Sequence, residues 1–532
     1  MLAPDNYTIR RAGPRREALH QVLRSAAAGF PILLAIAAII MAFEGNSASF
    51  FQDESFVVWL AKPGLRHILE YLHYEPHPPL YHSILALWMG LAGDSEQSVR
   101  ALSGLFYLLS LVATAWLGRS LLRWDELIIV LTLLACSPML LDAAHFARMY
   151  ALVFLESSLA LLAFLGVFVR RSARTAMTIL LAAANLAGLF THYYFLFLII
   201  AQAVVFLVFI RRNWAAACLG LLVPGVLFLA MWGTHLISQL ASDRFAANMP
   251  EPFGWGDVAA EVLAYYRKRW IMLLVWLAAV FLVSWPDGHL RRRSWRVIKA
   301  NLLAATRERR LRMFALAWVT AFAAALTVGA VGGPRYWHGG TTCLAELLPL
   351  TMVLALILRR GTLKLNVAAV CAVLVSTVVL QVRAANIIYA QDSDHRASIQ
   401  RLKDVVSDGD VVVGLDNYIT LFYYYTGRAP GAKRVQILAY PPDFGSHPGW
   451  LNQTATLKDL PAFKAATRKF ALQLAHEQTA APGRRLWLIP SDWSLDGSHV
   501  VTEIFDATLR RVETVSVVGG TGYSQFIAYE PR

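Results

Sequence analysis

Apolar runs of about bilayer-spanning length recur along this chain, and short arginine clusters separate them. A helix needs about 20 apolar residues to cross a hydrocarbon core about 30 Å thick. With no water there to bind free backbone groups, only helices and closed barrels can span, and runs of this length select helices. Composition agrees: 57% of the 532 residues are hydrophobic and 16% are charged, against about 45–50% and about 25% in a soluble domain. A net charge of +14 would suggest nucleic acid in a soluble protein. Here the excess arginine lies between apolar runs, where it reads as the positive-inside signal of topology and argues against a nucleic-acid partner. Cys136, Cys218, Cys343 and Cys371 lie within apolar runs or at the start of one, with no CxxC and no metal-ligand spacing. They read as small buried residues, and no metal site is expected from them.

Spans are expected at 28–43, 101–117, 127–141, 150–169, 176–190, 193–210, 214–233, 271–285, 313–330, 343–358 and 365–382, about eleven in all. With that set, the basic clusters all fall on one side: the N-terminal arm, Arg119/Arg123, Arg170/Arg171/Arg174, Arg211/Arg212, the run from Arg291 to Arg312, and Arg359/Arg360/Lys364. The apolar stretch Leu80 to Leu91 breaks this parity if counted, so it is expected to lie along the membrane surface. The chain thus divides into a cytoplasmic arm (1–27), a transmembrane region (28–384) with a first outer loop (44–100), and a non-cytoplasmic soluble α/β domain (385–532). In the last, helices are expected at His395–Val406 and Ala462–His476, and strands at Val411–Leu415, Leu486–Ile489 and Phe526–Tyr529. No Ala-x-Ala-like site closes the first apolar run, which reads as a retained helix.

Polar residues at membrane level are costly and mark functional sites by default. Five stretches carry them, and the topology puts all five on the rim opposite the basic clusters. They are Asp53-Glu54, Glu75-Pro-His77-Pro-Pro-Leu-Tyr81, Asp142-x-x-His145-Phe-Ala-Arg148-Met-Tyr150, Thr191-His192-Tyr193-Tyr194 and Pro334-Arg335-Tyr336-Trp-His338. Each has a plainer reading. Asp53 is a good cap for a helix starting at Glu54, and His-Pro-Pro is a good turn. Tyr150 suits an aromatic belt, and His192 an interface. Arg148 and Arg335 resist that treatment, because a basic residue on the outer side runs against the charge bias.

In order along the chain, Phe51-Gln-Asp-Glu-Ser55, Glu75 to Tyr81, Gly93-Asp-Ser-Glu96, Val99-Arg100, His145 to Ala151, Leu189 to Tyr194, Pro334-Arg-Tyr336 and Asp394-His-Arg396 resemble the GT-C glycosyltransferases of the family 39 and 83 type. These include protein O-mannosyltransferases, aminoarabinose transferases and lipid A galacturonosyltransferase-like proteins. The resemblance covers roughly residues 28–425. It implies a polytopic α-helical GT-C membrane protein with juxtamembrane helices in the first outer loop. It also implies transfer of a monosaccharide from a polyprenyl-phosphate sugar to a hydroxyl of a glycolipid, glycan or protein, with inversion, at the outer face of an inner (plasma) membrane. The family's presumed base falls on Asp53. His77 stands where the aminoarabinose branch often has Lys, and Pro76 where an acidic residue is expected.

An aspartate of ordinary pKa near 3.9 is ionised and accepts a proton late, as an oxocarbenium-like centre forms. Glu54 would orient the acceptor or a cation. The leaving phosphate needs stabilised charge, which arginine supplies bidentately, so Arg148 and Arg335 are the leading phosphate ligands, followed by His77, Tyr150 and Tyr336. Tyr81, His145, His192 and Tyr193 are expected to line the substrate. Asp53-Glu54 is the one place open to a divalent cation, and two carboxylates alone do not define a metal site. A lipid-linked-sugar flippase or transporter is the rival reading. It calls for charged or broken helices near the midplane and usually for internal repeats, whereas most polar residues here sit at helix ends, with Glu156 and Glu346 as exceptions.

Overall fold

The computed structural model describes residues 35, 36, 39, 49–72, 77–119, 127, 130, 131, 134, 135, 138–170, 174–241, 395–415, 419–426, 434–441, 459–479, 483–490, 499–516 and 525–532. Among the described residues, 49–92 fold as three short helices. α1 (Gln52–Ala61) follows Phe51, whose backbone is extended and whose N–H donates to the Glu54 carboxylate at 3.0 Å. Asp53 is therefore in the first helical turn, two places past the cap Phe51, and does not itself cap the helix as the sequence suggested. Both acids there lie in the favourable field of the helix N-terminus. Gly64, in the left-handed region at φ 102°, turns the chain into α2 (Leu65–Tyr71). α3 (Leu80–Ala92) follows the His77-Pro-Pro turn. Its 13 residues span about 20 Å, short of a hydrocarbon core, which agrees with a helix outside the spanning set.

Among the described residues four helices are long and apolar enough to cross a membrane: Glu96–Trp116, Tyr150–Phe168, Arg174–Thr191 and Trp214–Gln239. They belong to α4 (Glu96–Gly118), α6 (Tyr150–Leu165, continued by a π-helical turn, Gly166–Arg170), α7 (Arg174–Thr191), and the pair α9 (Trp214–Ala217) and α10 (Val223–Ala241), which a π-helical turn, Cys218–Leu222, joins. α5 (Pro138–His145) and α8 (Phe195–Val205) complete this part. α4 starts at Glu96 rather than at 101, because Gly93 breaks the chain and a helical turn precedes the apolar run. The expected spans at 271–285, 313–330, 343–358 and 365–382, and nearly all of 28–43, lie outside the described residues, and 127–141 is described in part.

α6 packs against both α4 and α7. α7, α8 and the π-helical turn of α9–α10 close on a buried amide pair. Asn185 and Gln202 exchange hydrogen bonds at 2.9 and 3.1 Å, and Asn185 also donates to the Gly220 carbonyl at 2.8 Å. A Cβ on Gly220 would meet Leu181 at 2.6 Å, so glycine sets that close approach.

Among its described residues the C-terminal part is a five-stranded sheet with helices. Its elements are α11 (His395–Val405), β1 (Val411–Leu415), α12 (Ile419–Thr426), β2 (Gln436–Tyr440), α13 (Leu460–Thr479), β3 (Leu486–Ile489), α14 (Val500–Thr508), β4 (Arg510–Ser516) and β5 (Gln525–Glu530). The strand order is β2-β1-β3-β5-β4, with β1 parallel to β2 and β3, and β5 antiparallel to β3 and β4. β1 and β3 are buried along their whole length, as central strands of a covered sheet are. Asp410 fixes the entry to β1. It is fully buried and accepts from Ser407 N–H, Arg485 N–H and the Trp487 indole at 2.8–2.9 Å. α12 packs on α1, and one apolar core runs from the helical bundle through Phe50 to Tyr424, Tyr425 and Phe422.

Candidate active site

α1 presents its two acids in opposite ways. The Glu54 side chain is 2% exposed and lies 2.6 Å from Arg100, itself 6% exposed. The pair is bidentate, with Arg100 Nε donating to Oε1 at 2.8 Å and Nη2 to Oε2 at 2.6 Å. Glu54 also accepts from the Ala147 N–H at 2.9 Å and the Phe51 N–H at 3.0 Å. Four donors thus occupy its two oxygens, where the sequence suggested a group facing acceptor or cation. Arg100 was not among the expected site residues. The charge-bias argument that singles out Arg148 applies to it equally, since the expected topology puts Arg100 on the same side.

The Asp53 side chain, by contrast, is 20% exposed and faces Arg148, with Oδ2 4.0 Å from Nη1. Arg148 is almost fully buried, a placement arginine tolerates when its charge is answered. The loop carrying it is clamped from two sides. Glu54 binds the Ala147 N–H, and Ser103 Oγ donates to the Phe146 carbonyl at 2.9 Å. The buried pair Glu54–Arg100 therefore supports the pair formed by the part-exposed Asp53 and the buried Arg148.

The Arg148 guanidinium also acts on Tyr81 and His192. Tyr81, in the first turn of α3, is fully buried beside Ser103, and burial pushes its phenol above the ordinary range. His192 sits in the turn between α7 and α8, with its ring 5.3 Å from His77 and 5.0 Å from Tyr194. Burial, then the neighbouring His77 and Arg148, hold His192 well below the usual imidazole range. Asp53, His77, Tyr81, Arg148 and His192, drawn from four stretches of sequence, thus come together on one rim.

Other expected residues are placed differently. The Tyr193 hydroxyl bonds to Gln239 and accepts from the Trp232 indole at 3.0 Å, while Gln239 donates to the Leu72 carbonyl at 2.5 Å. This chain ties the end of α10 to the end of α2, so the hydroxyl expected to line substrate serves a clamp. Tyr150 stacks on Phe146, with centroids 6.1 Å apart and planes 7° off parallel. His145 ends α5, and burial, with Arg100 nearby, holds its imidazole below the ordinary range. Arg335 and Tyr336 lie outside the described residues.

No three of His, Cys, Asp and Glu gather as a metal-holding group among the described residues. At Asp53-Glu54 the second carboxylate is taken up by Arg100 and two backbone N–H groups, and a cation, Arg148, already faces the first. This pair does not fit a divalent ion.

No family model matches the chain, and no curated protein matches it in sequence. Solved structures do match in shape. ArnT from Cupriavidus metallidurans bound to undecaprenyl phosphate superposes with a TM-score of 0.56 at 12% identity, over 94% of this chain and 98% of that one. Its apo form gives 0.56 at 13%, over 95% and 98%. The Archaeoglobus fulgidus oligosaccharyltransferase, in complex with Zn and sulfate, gives 0.51 at 12%, over 95% of this chain and 75% of that one. The chain has the fold of these GT-C glycosyltransferases.

Proposed function

We propose that this chain is an integral-membrane glycosyltransferase. It moves a monosaccharide from a polyprenyl-phosphate sugar to a hydroxyl of a cell-envelope glycolipid, glycan or protein at the outer face of the membrane, with inversion. The observation that carries the reading is the Asp53–Arg148 pair, a part-exposed carboxylate facing a buried guanidinium, on a fold shared with an enzyme solved with undecaprenyl phosphate.

In this reading the bond from the anomeric carbon to the phosphate oxygen breaks, and the acceptor oxygen bonds to that carbon from the opposite face. The acceptor proton passes to Asp53, and the electron pair of the broken bond leaves on the lipid phosphate. Asp53 stays ionised until the acceptor loses its proton. Arg148 is fixed in advance by its loop, so it meets the developing phosphate charge without reorganising, which is where electrostatic catalysis gains most. His77 is a further contact for the donor, with His192 behind it and the buried Tyr81 phenol lining the site behind Arg148. Arg335 and Tyr336 are proposed as phosphate ligands from a later outer loop, and Tyr150 and His145 as lining. No step needs a metal or a nucleotide.

A flippase would place polar groups at mid-depth. Glu156 is the buried carboxyl to weigh for that reading. It lies six residues into α6 from Tyr150, about 9 Å along the helix, and Thr191 donates to it at 2.8 Å. It thus lies in the half of the span Tyr150–Phe168 nearer Tyr150, bonded to the last residue of α7.

The test is transfer of radiolabelled sugar from a panel of polyprenyl-phosphate monosaccharides by wild type and Asp53→Asn. Loss of rate by about 10²–10⁴-fold, the usual worth of a general base, with donor binding retained, is the expected result. Equal rates would remove Asp53 from the mechanism, and no transfer by wild type with any donor would sink the reading.

A further inference from the structure

The turn that carries Asp53 is fastened from the far end of the sequence. Ser49 Oγ accepts from the His395 N–H at 2.8 Å, the Phe50 N–H donates to the Tyr425 hydroxyl at 2.7 Å, and Ser55 Oγ lies 2.7 Å from Thr420 Oγ1. The Tyr425 hydroxyl donates onward to the Glu96 carboxylate, which Arg396 also binds. The Tyr424 hydroxyl donates to the Asp94 carbonyl at 2.9 Å, and its ring sits 4.7 Å from that of Phe50. Ser55 and Thr420 are wholly buried, so no water stands ready to replace either partner. The C-terminal contacts therefore bracket Asp53 on both sides, at 49, 50 and 55.

Local sequence does not fix this turn unaided. Phe51 has no side-chain oxygen with which to cap α1. Glu54 fastens the turn to Arg100 and to the Arg148 loop, which sets the distance between the two charged partners. The contacts from α11 and α12 fix the remaining freedom, the direction in which the first turn of α1 points.

We infer that Tyr425 and Thr420 are positioning residues of the transfer site, through which the C-terminal domain sets the angle at which the Asp53 carboxylate meets the acceptor. The inference rests on the glycosyltransferase reading. Neither side chain touches substrate; each acts through the backbone or side chain of a residue beside Asp53. A base displaced by about 1 Å can cost about 10²-fold in rate, so losing one fastening of several is expected to cost less.

The experiment uses the full chain in detergent or nanodiscs. Tyr425→Phe keeps the ring but removes the acceptor for the Phe50 N–H, Thr420→Val keeps the shape but removes the hydroxyl, and Thr420→Ser keeps the hydroxyl. Tyr425→Phe and Thr420→Val are expected to lower kcat about tenfold while donor KM stays within about twofold, and Thr420→Ser to transfer like wild type. Adding Tyr425→Phe to Asp53→Asn should cost nothing more, as expected if both act through one group. Amide exchange over residues 49–55 should quicken in Tyr425→Phe and Thr420→Val and not in Thr420→Ser. Wild-type kcat in both deletion variants, or full additivity with Asp53→Asn, overturns the inference. If wild type transfers no sugar from any donor, the glycosyltransferase reading fails. The exchange measurement still decides the rest: unchanged protection over 49–55 would show that the C-terminal domain does not fasten the turn.

Discussion

Deleting the Glu54 carboxylate would strand the Arg100 guanidinium in a dry site and release two backbone N–H groups with it. Breaking a buried pair from one side costs about 3–5 kcal/mol, so Glu54→Ala should lower the melting temperature and the yield of folded protein. Asp53→Asn, at a part-exposed site 4.0 Å from its partner, should lower the melting temperature less than Glu54→Ala does while losing transfer. A calorimetric or fluorescence melt of the two variants checks this, and equal melting temperatures would return Glu54 to the reacting groups. The stretch that carries Asp53 stands out in the sequence because it fits a family pattern. The role of Glu54 does not, because its partner lies 46 positions away and nothing local pairs them. His192 supplies a pH prediction. Its imidazole is held below the ordinary range, so it stays neutral in the native state while the unfolded chain takes up a proton near pH 6.5. The unfolded state then binds more protons, and stability falls as pH drops below about 6.5, with a limiting slope of about 1.4 kcal/mol per pH unit until the native residue titrates. Melting temperature measured from pH 7.5 to 5.5 should fall more steeply for wild type than for His192→Gln.

Helices and strands differ in how far their own residues announce them. β1 and β3 are short β-branched or aliphatic runs bounded by turn residues, and both match the expected bounds. β4 was missed because it is an exposed edge strand of mostly polar residues with a register shift between Arg511 and Glu513, which spoils the period of two. α12, Ile-Thr-Leu-Phe-Tyr-Tyr-Tyr-Thr, is rich in strand-favouring residues. Packing on α1 and α11, with six of its eight residues buried, favours the helix. Within the bundle, the Asn185–Gln202 pair is where α7, α8 and the π-helical turn of α9–α10 are locked together. Asn185→Leu alone leaves the Gln202 amide and the Gly220 carbonyl without a partner in an apolar setting. Interhelical polar contacts of this kind are worth about 0.6–2 kcal/mol in membranes. Each single Leu variant should therefore unfold at lower denaturant than wild type. Asn185→Leu/Gln202→Leu together should recover part of the loss, because no buried amide is then stranded. A double variant as unstable as the sum of the singles would mean that the pair is incidental.

The contacts across the molecule constrain its topology more tightly than charge alone. Phe50 with Tyr425, Ser55 with Thr420 and Glu96 with Arg396 join the segment 49–96 to the C-terminal sheet domain. Both must therefore lie on one side of the membrane, and an even number of crossings must separate Leu72 from His395. The spans read from the apolar runs between 101 and 382 number ten, which satisfies that condition. Counting α3 as a crossing would break it, and at about 20 Å that helix is too short to cross. Charge bias then chooses the side: Arg211 and Arg212, exposed at the end of a helix, should face the cytoplasm. A reporter pair tests this on the whole chain. Alkaline phosphatase, active only outside, should be active when fused after Arg532 and inactive when inserted at Arg212. A fluorescent protein that folds only inside should give the opposite pattern. Both reporters agreeing on one side for the two positions would mean that an even number of crossings separates Arg212 from the C-terminal domain, which would overturn the five spans read there or, if those stand, the contact between α1 and α12. A clean reversal would keep the fold and overturn only the orientation, and with it the proposal that transfer happens at the outer face.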